Sequence, residues 1–330
     1  MTALRVPKLP LAVALAVVSA ALFGCATATA TATAVLPPIL RPTATTAPTP
    51  SPTPAPELLL IAEGEVDWES DLAEWAAQRG WVLARADPPD AAAYLEDARP
   101  QIQAVVSQVE ALGGDLQLAA EDGIPVVAID VPGVSPMSFL STVGNPRHDQ
   151  AGFLAGVMTG LASQTGWVGL VTDTGSPDEQ AYSAGFAQGL LWGCPKCQLI
   201  VQTADEMTLD RFRANTVDAV FILPGPEADE AANALAGRGF PIVWVGEGGP
   251  TVEALIGRLI FKDGPLVLLA LDDLIAMGEG QAWRPSIESA TLVSADINDE
   301  FLSPGRQRLF EEAYGAIAAG ELDIGTDPEG

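Results

Sequence analysis

From residue 57 onward, short runs rich in β-branched residues alternate with longer helix-patterned stretches, and this alternation narrows the possible folds more than any other feature. Strands are expected over 58–62, 81–84, 104–107, 125–130, 140–143, 168–172, 198–202, 219–223 and 241–245. Helices are expected among them over 68–79, 149–162, 178–191 and 227–238. After Gly246 the rhythm changes to a strand over 259–262, an apolar helix over 266–277, an extended stretch over 290–296 and a closing helix over 304–319. Strand–helix–strand units build parallel sheets with helices on both faces. So many strands overfill one sheet, and two doubly wound parallel-sheet lobes suit the length, with the chain passing between them more than once. The expected class is therefore α/β, with a ligand cleft where the carboxyl ends of strands from both lobes meet.

The amino terminus has a different character. Arg5 and Lys8 precede an apolar run over 9–23, which is shorter than the ~20 residues needed to span a bilayer. The run ends in Leu22-Phe23-Gly24-Cys25, which resembles the lipobox of bacterial lipoproteins. The resemblance implies a signal peptide over 1–24, a lipid-modified Cys25 and attachment to the extracytoplasmic face of the cell membrane. The competing reading is a plain secretory signal followed by an incidental cysteine. Residues 26–56 hold no acid and one base, Arg41, in an Ala/Thr then Pro-rich sequence. Such a segment buries too little apolar surface to offset its ordering entropy, so a disordered tether is expected over 25–56, reaching roughly 30 to 95 Å.

The acids all lie beyond residue 56, and the whole chain carries a net charge of −27. That balance argues against nucleic acid and against docking on anionic lipid, leaving the lipid anchor as the expected membrane contact. Cys194 and Cys197, in Cys-Pro-Lys-Cys, are the remaining cysteines and suit a small-loop disulfide in an exported domain. A zinc site needs further ligands, and His148 is the sole histidine. No phosphate-binding glycine loop and no Ser/His/Asp order is present, so no catalytic residue, metal or cofactor is expected.

Three stretches carry a family resemblance. Gln150-Ala151-Gly152-Phe153-Leu154-Ala155-Gly156 is followed by Gly166-Trp167-Val168-Gly169-Leu170-Val171; Pro177, Tyr182, Gly185-Phe186 and Gly189 come next; Val245-Gly246-Glu247, Leu259-Ile260-Phe261-Lys262 and the closing 317–320 complete the order. Together they resemble the basic membrane protein family of substrate-binding lipoproteins, with the type I periplasmic-binding-protein fold. The resemblance implies capture of a purine nucleoside or a similar small polar ligand for an ABC transporter permease. The lobes expected from it are 57–143 plus 248–284 and 144–247 plus 285–330.

Within that frame Tyr182 takes the place of a base-stacking aromatic, with a half-buried core tyrosine as the plain alternative. Trp68 reads either as the opposing plate or as a hydrophobic staple on its helix. Glu247 suits a ribose diol, since a carboxylate accepts two hydroxyls. Lys262, at the end of an apolar strand, needs water, ligand or a salt bridge to Glu247. Asp130 ends a strand and is either a ligand contact or a turn cap. Gly156, Gly160, Gly185 and Gly189 read as packing residues, letting helices lie close to the sheet. The chain differs from the family in Asp67-Trp68-Glu69-Ser70 and Gly246-Glu247-Gly248-Gly249. A sugar receptor of the same fold and a sensor presenting to a membrane signalling protein are the alternatives.

Overall fold

A computed structural model describes residues 54–324 except Thr174. The expected signal peptide, Cys25 and the tether through residue 53 lie outside the described residues. No helix among the described residues is long and apolar enough to cross a membrane.

The chain first lays down β1 (Glu57–Ile61), β2 (Val82–Ala86), β3 (Ile102–Ser107), β4 (Val126–Ile129) and β5 (Leu140–Val143). Helices α1 (Glu69–Gln78), α2 (Pro88–Asp97) and α3 (Gly113–Glu121) connect them. After α4 (His148–Ala162) come β6 (Trp167–Thr172), α5 (Pro177–Gly193), β7 (Gln198–Thr203), α6 (Leu209–Ala214) and β8 (Ala219–Ile222). Then follow α7 (Ala228–Ala236), β9 (Ile242–Val245), β10 (Leu255–Phe261) and α8 (Gly264–Met277). The last elements are β11 (Ala282–Trp283), β12 (Leu292–Ala295) and α9 (Pro304–Ala318).

Two six-stranded sheets result, ordered β11-β5-β4-β3-β1-β2 and β12-β10-β9-β8-β6-β7. All neighbours pair in parallel except β12, which runs antiparallel to β10. The strands are apolar on both faces because helices cover both. In β1, Leu58 and Leu60 pack with α1 and α8, while Leu59 and Ile61 pack with α2 and α3. The period of two along the strand therefore sorts one run of leucines into two separate cores.

The return to the first lobe comes later than residue 248. β10 pairs with β9, Leu255 opposite Ile242 and Leu259 opposite Val245, so it belongs to the second sheet. Its Gly257 lies against Met158 of α4, a seat inside the second lobe that a bulkier residue would crowd. The chain crosses at 262–263 and α8 then packs on the first sheet. β11 is two residues long and carries no periodicity to read; α2 begins at Pro88-Pro89, where proline supplies helical φ at the first turn.

The glycines expected to pack against the sheet instead join two helices. A methyl added at Gly185 or Gly189 of α5 would overlap the carbonyl oxygen of Asp149 or Phe153 of α4, and one at Gly152 or Gly156 would overlap that of Tyr182 or Phe186. The two backbones lie in contact, and residues 149–162 of α4 are buried throughout.

Candidate functional site

The carboxyl ends of the first sheet and a crossing segment bring Asp67, Asp130 and Asp263 into one electrostatic neighbourhood. The second lobe adds His148, first residue of α4, and Asp178 in the first turn of α5. Asp67, Asp263, His148 and Asp178 stand where the chain enters a helix, and Asp130 in the loop between β4 and β5. Asp130 adopts φ 48° and Asn145 φ 51°, with Gly144 between the two strand ends at φ 153°. Left-handed backbone costs an L-residue about 1–2 kcal/mol, so the two such residues at one spot, Asp130 and Asn145, are held there by their surroundings. The Asp130 N–H donates to Val143 O (2.9 Å), the Gly144 N–H to Trp283 O (3.0 Å), and Arg284 Nε to Asn145 O (2.9 Å). Beside this knot lies a cavity of about 420 Å³, whose wall includes Asp130, Val131, Asn145, Trp283 and Arg284. The Trp283 indole N–H is buried there without a hydrogen-bond acceptor among the described residues.

Burial raises the Asp130 carboxyl above the usual range, and Asp178 adds to the rise; the Asn145 backbone and His148 work against it. Asp263 is pushed up to about 6, by burial first and then by Asp130 and Asp67. His148 moves the other way: burial outweighs Asp178, Asp130 and Asp149, so the imidazole is held neutral further into acid. Its Nδ1 lies 3.7 Å from Asp178 Oδ1, too far for a hydrogen bond, and makes none elsewhere. Arg147 grips Asp149 through two 2.8 Å bonds and anchors the start of α4. The neighbourhood is rich in hydrogen-bond acceptors and suits a ligand that donates through hydroxyl or amine groups.

The five residues singled out in the sequence divide. Asp130 stands inside this neighbourhood. Trp68 is 6% exposed and packs against Gly264 at the start of α8, so it staples two helices in the first core and presents no free face. Tyr182 is 5% exposed, and the ring of His148 already covers it at 4.7 Å between centroids, with Phe221 beyond at 6.4 Å. A face so occupied does not stack a ligand without rearrangement. Lys262 is exposed beside Asp263, its N–H donating to Thr291 O (2.7 Å), and no ion pair joins it to Glu247 among the described residues. Glu247 is exposed in the loop after β9; Arg258 holds that loop through the carbonyls of Glu247 and Gly248. Asp263, Asp178 and His148 escaped the sequence reading, although Asp263 before Gly264-Pro265 carries a visible strand-to-helix signal.

Cys194 and Cys197 are joined by a disulfide at the carboxyl end of α5, and the Cys197 N–H donates to Cys194 O (2.9 Å). Among the described residues no group of three or more His, Cys, Asp or Glu is placed to hold a metal ion.

Comparison with protein-family models and with curated proteins gives no match. Solved structures do match. An ABC transporter solute-binding protein from Conexibacter woesei is 16% identical with a TM-score of 0.63, covering 82% of this chain and 98% of its own. A transcriptional activator of the comK gene from Bacillus halodurans is 12% identical with a TM-score of 0.61, covering 81% and 99%. An ABC transporter solute-binding protein from Aeropyrum pernix is 14% identical with a TM-score of 0.54, covering 84% and 95%. The chain has the two-lobed α/β fold of these proteins.

Proposed function

We propose that this chain is an extracytoplasmic solute-binding lipoprotein, held to the membrane by Cys25, that closes its two lobes on a small polar ligand and delivers it to an ABC permease. The observation that carries this reading is the placement of Asp130 on one lobe within electrostatic reach of His148 and Asp178 on the other. A ligand donating hydroxyls to both sides would favour the closed arrangement by its differential affinity for it. The ligand class is nucleoside-like, through the ribose hydroxyls; Lys262 and Glu247 serve at the rim. Since Trp68 and Tyr182 are buried, a base would lack its two plates, and a sugar is the second choice. The matching comK activator favours a further reading, a sensor that presents its liganded form to another protein. No catalytic group is assigned, and the chain is taken as a binding protein.

A thermal-shift series on the full chain tests this. A true ligand at a hundred times its Kd adds about 2.7 kcal/mol of stability. Nucleosides or sugars are expected to raise Tm, and Asp130→Asn or Lys262→Ala to diminish the rise. An absence of shift with every nucleoside and sugar sinks the ligand class; an unchanged rise in both variants sinks the site.

A further inference from the structure

At the ends of the second sheet's strands farthest from the cleft, where β6, β8 and β9 begin, lies a cavity of about 440 Å³. Its wall includes Arg213, Val217, Asp218, Arg238, Phe240 and Phe301. The chain has 43 acids against 16 bases, so Coulomb attraction favours pairing its guanidiniums with carboxylates. Arg79, Arg85, Arg99, Arg147, Arg258 and Arg308 do pair. Arg213 and Arg238, both solvent-exposed, make no ion pair among the described residues, and neither do Arg211 and Arg306; Asp218 shares the wall of the first two. Asp218 is already engaged: Ser163 Oγ donates to its Oδ1 at 2.6 Å, and the N–H groups of Gln164 and Thr165 to its Oδ2 at 2.7 and 2.8 Å. Arg306 adds a third cation close by, its Nη1 3.5 Å from the carbonyls of Ala162 and Phe301. The carboxyl ends of α4, α6 and α7 offset part of this charge through their dipoles, each by a fraction of one charge.

We propose that this cavity is a second binding site, for a small organic anion: a carboxylate or phosphate on a flat apolar body. The guanidiniums of Arg213 and Arg238 take the anion, where bidentate hydrogen bonds are strongest. Phe240, Phe301 and Val217 wall the apolar body. The site lies wholly on the second lobe and does not rest on the reading of the cleft.

Calorimetric titration of the full chain with phenyl phosphate and with phenylacetate tests it, with benzyl alcohol as the neutral counterpart. Both anions are expected to bind saturably and more tightly than benzyl alcohol, and binding should weaken as salt is raised. The double variant Arg213→Gln/Arg238→Gln should bind at least about tenfold more weakly. Arg213→Lys/Arg238→Lys, which keeps the charge and loses the fork, should fall between, and Asp130→Asn in the cleft should bind like the wild type. Equal affinity in the glutamine variant overturns the site, as does equal binding of benzyl alcohol. If the arginines only offset helix ends, the glutamine variant loses thermal stability while neither anion binds the wild type, and that outcome also overturns it.

Discussion

Asp263 shows how a single carboxyl is set by its place in the fold. Raised to about 6, it binds its proton more tightly in the folded chain than in the unfolded one. Stability therefore falls as pH rises from the ordinary carboxylate range through about 6, and the penalty is complete above that. Asp263→Asn removes the penalty. At pH 7.5 the variant should be more stable by about 1–2 kcal/mol, a figure reduced for the partial exposure of the group, and near pH 4 the difference should vanish. The depressed His148 acts in the opposite sense, losing stability as pH falls, so the difference between variant and wild type is the quantity to follow by denaturation across pH. A variant less stable at pH 7.5 would show that the carboxylate is held by an attraction instead of being strained by its neighbours. Asp263 also illustrates what one residue reveals on its own. Its turn signal stands in the sequence, but its burial and its two acidic neighbours come from positions far away along the chain.

Between elements, the closest contact is that of α4 with α5, where glycines let two backbones touch. Gly189 faces the Phe153 carbonyl, and no side-chain rotation relieves an added methyl there. Gly189→Ala should cost about 3 kcal/mol, since overpacking against backbone forces the helices apart. Chemical denaturation measures this; a loss below about 0.5 kcal/mol, within the range of an ordinary surface change, would show that α5 can shift freely. The same displacement would move His148 and Asp178, which open α4 and α5, so the interface also sets the second lobe's side of the cleft. The glycine spacing along each helix is legible in the sequence; which partner it fits is not.

For the whole molecule, position relative to the membrane is part of the proposed mechanism. On that proposal, anchoring at Cys25 would keep the receptor at high local concentration near a permease. Cys25→Ser is expected to move the protein from the membrane fraction to the soluble exported fraction with its thermal stability unchanged. Continued membrane retention of that variant would assign the attachment to something other than Cys25.

The alternation of β-branched runs and helix patterns determined the class, the two-lobed division and most element positions, because period and length are local properties of the chain. The apolar run ending in Cys25 and the Thr/Pro segment set the expected export and tethering for the same reason. Tertiary structure decided what local patterns do not encode. β10 joined the second sheet because its apolar faces fit beside β9 and α4, which moved the crossing to 262–263. Trp68 and Tyr182 became core because large apolar surfaces next to a helix start are buried against α8 and His148. The acidic neighbourhood of Asp67, Asp130, Asp178 and Asp263 exists only once both lobes bring their strand ends together. Charges far apart in sequence acquire a shared environment only through the fold.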